Sequence, residues 1–202
     1  MRKIYLLLAV AALLLAGCAN HNAVTFSQTK SFWTGDPILR LNLPFPEPLS
    51  FELPNANWTV LKVNQAKGRG SVVALAEGSA DSHVQVMIEG QEPALFASLE
   101  HDSGVDFSQP DSLILQGLFR HYKTKTREEN GEKQISYGET KVQLDGGDTY
   151  AWMVTTNGSY SVAYCVVKTK SSNYFTIEVD QKHRDSDIES TLLGIVKSRK
   201  SY

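Results

Sequence analysis

Thiols and imidazoles are the side chains best able to do chemistry near neutral pH, and this 202-residue chain has two cysteines and five histidines. Cys18 follows Leu15-Ala16-Gly17 at the end of an apolar run. Cys165, in an extended segment, shares a face with Ala163 and Val167, which predicts a buried, inert thiol acting as a small hydrophobe. A reactive thiol needs an exposed, cationic setting instead. A hydrolase needs a nucleophile, a base and a group that orients the base. Neither Gly-x-Ser-x-Gly nor His-Glu-x-x-His occurs. His101-Asp102 is a sequence-adjacent pair on a predicted loop, where neighbouring side chains usually diverge. His21 lies in a polar N-terminal stretch, and His83, His121 and His183 are scattered, with no metal-ligand spacing to a carboxylate or cysteine. The expectation is surface histidines: no catalytic residue, no metal, no cofactor, and a protein that is not an enzyme.

Cys18 is the exception. Arg2 and Lys3 precede an unbroken apolar run of 13 residues, Ile4 to Ala16. A membrane span needs about 20 apolar residues, so this run is too short to remain as one. It has the length of a secretory signal core. Ala16 and Gly17 are small enough to let a peptidase approach the backbone. Leu15-Ala16-Gly17-Cys18 resembles the lipobox of bacterial lipoproteins. That resemblance implies cleavage after Gly17, a diacylglyceryl group on the Cys18 sulfur and an acylated new amine. Two or more acyl chains hold a protein on a bilayer, where one holds it only marginally. Ala19 stands where aspartate marks inner-membrane retention in such proteins, which by resemblance favours the outer membrane, facing the periplasm.

Removal of residues 1–17 leaves 185 residues, enough for one domain with a proper core. It also removes Arg2 and Lys3, leaving 18 basic against 22 acidic residues and a formal charge of −4. A mildly acidic domain has no electrostatic reason to bind nucleic acid or an anionic bilayer. With Cys18 acylated, Cys165 has no partner for a disulfide.

From Cys18 to about Gly35 the chain is polar and without period, and reads as a tether, although Phe32 and Trp33 could dock on the domain. Leu39 to Leu43 alternates as a possible edge strand. Pro44, Pro46, Pro48 and Pro54 bracket Leu49–Leu53, a second strand suited to an edge. Trp58–Val63 and Ser71–Ala76 read as strands about a turn at Lys67-Gly68-Arg69-Gly70. No helix follows these glycines, so the turn is a hairpin and not a phosphate loop. Val84–Glu89 is another strand, and residues 93–100 suit a short helix.

Ser108 and Asp111 resemble a capping box with Pro110 in the first turn. The helix they open carries Ile114, Leu115, Leu118, Phe119 and Tyr122 on one face. Arg120, His121, Lys123, Lys125 and Arg127 crowd its far end, matched to the helix dipole. Turns at Asn130-Gly131, Asp145–Asp148, Asn157-Gly158 and Ser171–Asn173 divide the next stretch into strands, an antiparallel meander over 134–180. Phe175, Ile177 and Val179 should face the core, with Thr176 and Glu178 outward. Ser186 and Glu189 form a second candidate capping box for a terminal helix with an Ile188, Leu192, Ile195, Val196 stripe. Trp58, Tyr150, Trp152, Tyr160 and Tyr164 form aromatic strand faces, core if a helix covers them and a binding surface if none does. The core reading is preferred. The sequons Asn57-Trp58-Thr59 and Asn157-Gly158-Ser159 read as chance.

This order predicts an α+β domain: an antiparallel sheet flanked by helices. It is similar to the PsbP-like fold, and within it to bacterial DcrB-type lipoproteins. Pro48–Pro54, Val84–Gly90, Asp148–Trp152 and Thr176–Lys200 carry the resemblance. It implies an α/β/α sandwich and a non-enzymatic role, binding an envelope protein partner or supporting an assembly at a membrane. A carrier or sensor of a small apolar ligand, held between sheet and helices, is the alternative. The expected organisation is a signal peptide over 1–17, a lipidated N-terminus and tether over 18–37, and one globular domain over 38–202.

Overall fold

The computed structural model describes residues 23–30, 37–54, 58–77, 83–130, 134–141, 147–182 and 187–201. The signal stretch, Cys18, His21, Phe32, Trp33, Asn57 and His183 lie outside them. The described residues form two antiparallel sheets and three helices, an α+β fold rich in β structure. The smaller sheet has the order β1 (Thr25–Lys30), β2 (Pro37–Leu43), β3 (Leu49–Pro54) and the two-residue β11 (Lys200–Ser201). The larger has seven strands, in the order β4 (Trp58–Ala66), β5 (Arg69–Glu77), β6 (His83–Gln91), β10 (Tyr174–Lys182), β9 (Tyr160–Lys168), β8 (Thr149–Asn157) and β7 (Gln134–Lys141).

The order of the larger sheet records the path of the chain. Hairpins carry it inward from one edge through β4, β5 and β6. Helices α1 (Pro93–Leu99) and α2 (Asp111–Asn130) then carry it across one face to the opposite edge. The meander β7-β8-β9-β10 returns and closes on β6 with full antiparallel register, Ile177 opposite Ile88. Helix α3 (Ile188–Lys197) follows on the other face.

The meander turns as its glycines allow. Asn157 pairs with Tyr160 around Gly158, whose φ of 61° is open to glycine at little cost. Gly68, at φ 81°, does the same for β4 and β5, where the hairpin expected at residues 67–70 forms. On α2, Ile114, Leu115, Leu118 and Phe119 are fully buried, as their spacing predicts.

Several expectations are corrected. Residues 18–37 do not read as strand, yet Thr25–Lys30 forms β1, paired along its length with β2. Its sequence, Thr-Phe-Ser-Gln-Thr-Lys, has one large apolar residue and so no period to detect. Because β1 covers β2, Leu39–Leu43 is an interior strand and not an edge. Ser108 does not cap α2. The first helical bonds run from Leu113 and Ile114 to the Pro110 carbonyl, because the residue before a proline is kept out of the helical region. Ser108 instead donates to Asp106, from its backbone N–H at 2.9 Å and its hydroxyl at 2.7 Å. The cap of α3 is Asp187, which accepts from Glu189 N–H at 3.1 Å and the Ser190 hydroxyl at 2.7 Å; Ser186 lies outside the described residues. Thr176 does not face solvent, because the sheet is covered on both sides there.

Two hydrophobic clusters result, one on each face of the larger sheet. The larger joins Leu39, Leu41 and Leu43 of β2 and Leu49, Phe51 and Leu53 of β3 to Ile188, Leu192, Ile195 and Val196 of α3, against Val72, Ile88, Cys165, Phe175 and Ile177 of the sheet. The smaller joins Phe96 of α1 and the apolar face of α2 to Ala151, Met153, Val166 and Tyr174. Gly90 locks the two sheets together. A Cβ there would lie 2.7 Å from the Phe175 ring and 2.9 Å from the Phe45 carbonyl.

Candidate functional site

The aromatic strands point to opposite sides of the sheet. Tyr150 and Trp152 face the small sheet and α3: Tyr150 is 2% exposed, and the Trp152 indole donates to Glu189 Oε1 at 2.9 Å. Tyr164 faces α2, packed edge-on to Tyr122 at 5.6 Å and tilted against Phe119. Burial pushes the Tyr122 and Tyr164 hydroxyls well above their ordinary range. Phe96 stacks flat on Tyr174 at 4.1 Å, with Phe107 against both; Tyr174 is raised to about 12 by burial and by nearby Asp111. Helices thus cover most of these rings. Tyr160, at 41% exposure, stands clear of them.

That exposure marks where the covering stops. α2 packs on β7 and β8, and the Lys168 ammonium, 2.5 Å from Asp111 Oδ1, pins its first turn to β9. α1 reaches β10 through Phe96 and Tyr174, and Glu92, just before it, donates its N–H to the Gly68 carbonyl at 3.1 Å. Beyond that point the same side of β5 and β6 presents Val73, Leu75, Gln85 and Met87, all half-buried. Glu178 and Asp180 of β10 adjoin them, opposite Met87 and Gln85. Burial raises both carboxylates above their ordinary values; Asp180 raises Glu178 further, whereas a hydrogen bond from Tyr160 and the nearby His83 act against the rise at Asp180. β4 ends the sheet among the described residues, with Leu61 53% and Val63 42% exposed. A bulge between Val60 and Lys62 and the lysine itself guard part of this edge against indiscriminate pairing.

A concavity of about 430 Å³ lies on the side of α2 turned away from the sheet. The turn His101–Ser103 ends at Gly104, φ 66°, and the chain folds back so that Val105 rests on Gly117, where a Cβ would come within 2.8 Å of Val105. Hydrogen bonds from Gln109 and Ser108 hold the Asp106 carboxyl down to about 2, so it is ionised. Arg120 and His121 face it across the groove. This is an open, mixed-charge surface trough.

The chemical candidates remain apart. Cys165 is fully buried and its thiol is pushed up by burial. His101 and Asp102 do meet, Nε2 to Oδ1 at 2.9 Å, contrary to the expected divergence, because the tight turn folds both onto one side. Both side chains are more than 70% exposed, and the other ring nitrogen lies 3.0 Å from the Ser98 carbonyl. The nearest serine along the turn, Ser103, donates to the Glu100 carbonyl at 2.6 Å. Among the described residues no three His, Cys, Asp or Glu side chains are grouped to hold a metal, and no helix is long and apolar enough to cross a membrane. Sequence reasoning missed the uncovered half-face, since alternation in β5 and β6 reports burial on one side and is silent about the other. Compared with protein-family models and with curated proteins, the chain matches none.

Proposed function

We propose that the chain is a bacterial envelope lipoprotein, anchored by acyl chains on Cys18 and probing a protein partner with its folded domain, without catalysing a reaction. The observation that carries the binding role is the uncovered stretch of β5 and β6, where Val73, Leu75 and Met87 stay half-exposed between Thr59 and Lys62 of β4 and Glu178 and Asp180 of β10. Contiguous apolar surface of this kind is characteristic of interaction sites. The anchor rests on Leu15-Ala16-Gly17-Cys18, and Ala19 favours an outer-membrane location facing the periplasm. Placement supports a non-catalytic reading: the Cys165 thiol is sealed in the core and the His101–Asp102 pair sits on an exposed turn. The finer fold assignment is a PsbP-like α/β/α sandwich of DcrB type, supported by α1 and α2 on one face of the sheet and α3 on the other. The alternative is a carrier of a small apolar ligand held between the sheet and its helices, where the two clusters of buried side chains lie.

The test is a photo-crosslinking side chain placed at Met87, and separately at buried Ile88, in intact envelopes. A reproducible protein adduct from Met87 and none from Ile88 is expected. An unreacted Met87 probe would count against the binding role.

A further inference from the structure

Where the folded body begins relative to its anchor is set by a short piece of chain. Val24 packs against the main core, and Thr25 is fixed to β2 by its pairing and by a 3.1 Å hydrogen bond from Asn42. Only the five residues 19–23 separate Val24 from Cys18. Six residue steps reach at most about 21 Å fully extended. The headgroup layer is itself roughly 5–8 Å thick. A body pinned at Val24 therefore keeps the start of β1 within about 21 Å of the anchor point, near the bilayer surface.

β1 is suited to that position. Phe26 is opposite Leu41, and opposite residues of an antiparallel pair share a face. Leu41 is fully buried, yet Phe26, one strand further out on the same face, is 55% exposed. The apolar face of the small sheet thus runs past its cover and ends in a phenyl ring. Its described neighbours Thr25, Ser27 and Gln28 are exposed and uncharged, so no fixed charge on them opposes approach to lipid. Leu61, a similarly exposed strand residue, lies on the larger sheet beside Lys62.

We infer that the β1 edge is a membrane-docking surface, with Phe26, on the overhang of the small sheet's apolar face, seated at the headgroup–acyl boundary. Apolar rings favour that boundary when a tether keeps them near it. The inference rests on acylation of Cys18 and adds an orientation that acylation alone does not give.

The test uses the full, lipid-modified chain in vesicles of phosphatidylethanolamine and phosphatidylglycerol containing nitroxide-labelled acyl chains. Phe26→Cys, Gln28→Cys and Leu61→Cys each take an environment-sensitive fluorophore; Cys165 is buried and does not compete. All three sites are exposed, so the fold tolerates the changes. Quenching at 26 about threefold stronger than at 61, with 28 intermediate, is expected for a ring at the interface. Equal quenching at 26 and 61, with intact mass showing acylated Cys18, overturns the docking and leaves the anchor standing. A blue-shifted but unquenched probe at 26 also overturns it, since protein and not lipid then covers the ring. An unmodified Cys18 removes both.

Discussion

The two faces of the seven-stranded sheet are closed to different extents. At about 4.8 Å per strand the sheet is roughly 29 Å wide, whereas a helix covers only about 10 Å. One face has α3 together with the small sheet, and its cluster spans residues from β4 to β8. Among the described residues the other has the crossover α1–α2 alone, and a crossover from β6 to β7 lies above the strands it bridges, β10, β9 and β8. The stretch over β5 and β6 is left bare by topology. The closed face holds the larger hydrophobic cluster, and the half-open face is the one proposed to meet a partner.

Substitutions can break or sharpen this contrast. Phe175→Ala, in the closed face against Phe51, should cost about 3–5 kcal/mol by denaturant unfolding. Leu118→Ala, under α2, should cost about 2–5 kcal/mol, while Leu75→Ala in the bare stretch should cost under about 1 kcal/mol. Equal losses at 118 and 75 would mean that something covers β5, and the contrast would fail. Gly90→Ala forces a methyl against Phe175 and the Phe45 carbonyl and should cost about 1–3 kcal/mol. Trp152→Phe removes the bond to Glu189 and should cost about 1 kcal/mol, with α3 showing faster amide exchange.

The smallest effect is in pH dependence, where two acidic regions act with opposite sign. Asp106 is held at about 2 against an ordinary 3.8, so its turn is supported above pH 3.8 and loses that support as pH falls toward 2. Glu178 and Asp180 are raised, so their ionised forms burden the folded state at neutral pH. That burden lifts as pH falls through their raised values, and stability from this pair therefore declines as pH rises just above the ordinary carboxylate range. Glu178→Gln should raise neutral-pH stability and flatten that decline in a series of melts. A steeper decline would contradict the assignment.

Much of the fold was legible because it rests on local rules. Glycine turns delimit the meander, and the spacing of Ile114, Leu115, Leu118 and Phe119 gives both the helix and its buried face. What was illegible depends on non-local partners. β1 is a strand because β2 offers an edge, and its own residues do not announce it. Ser108 has a capping side chain, but Pro110 decides where helix geometry can begin. The bare half-face follows from strand order, since Met87 and Val73 alternate like any half-buried strand residues. The proposed anchor is the reverse case: Leu15–Cys18 carries the lipobox resemblance in sequence, while its position lies outside the described residues.

The central claim is that this domain works while moored by its first mature residue. Intact mass and N-terminal fragmentation of the protein extracted from its host's membranes test it directly. The account predicts a chain beginning at Cys18 with fatty acyl groups on sulfur and amine. A chain that starts at another residue, or carries a free thiol there, contradicts it.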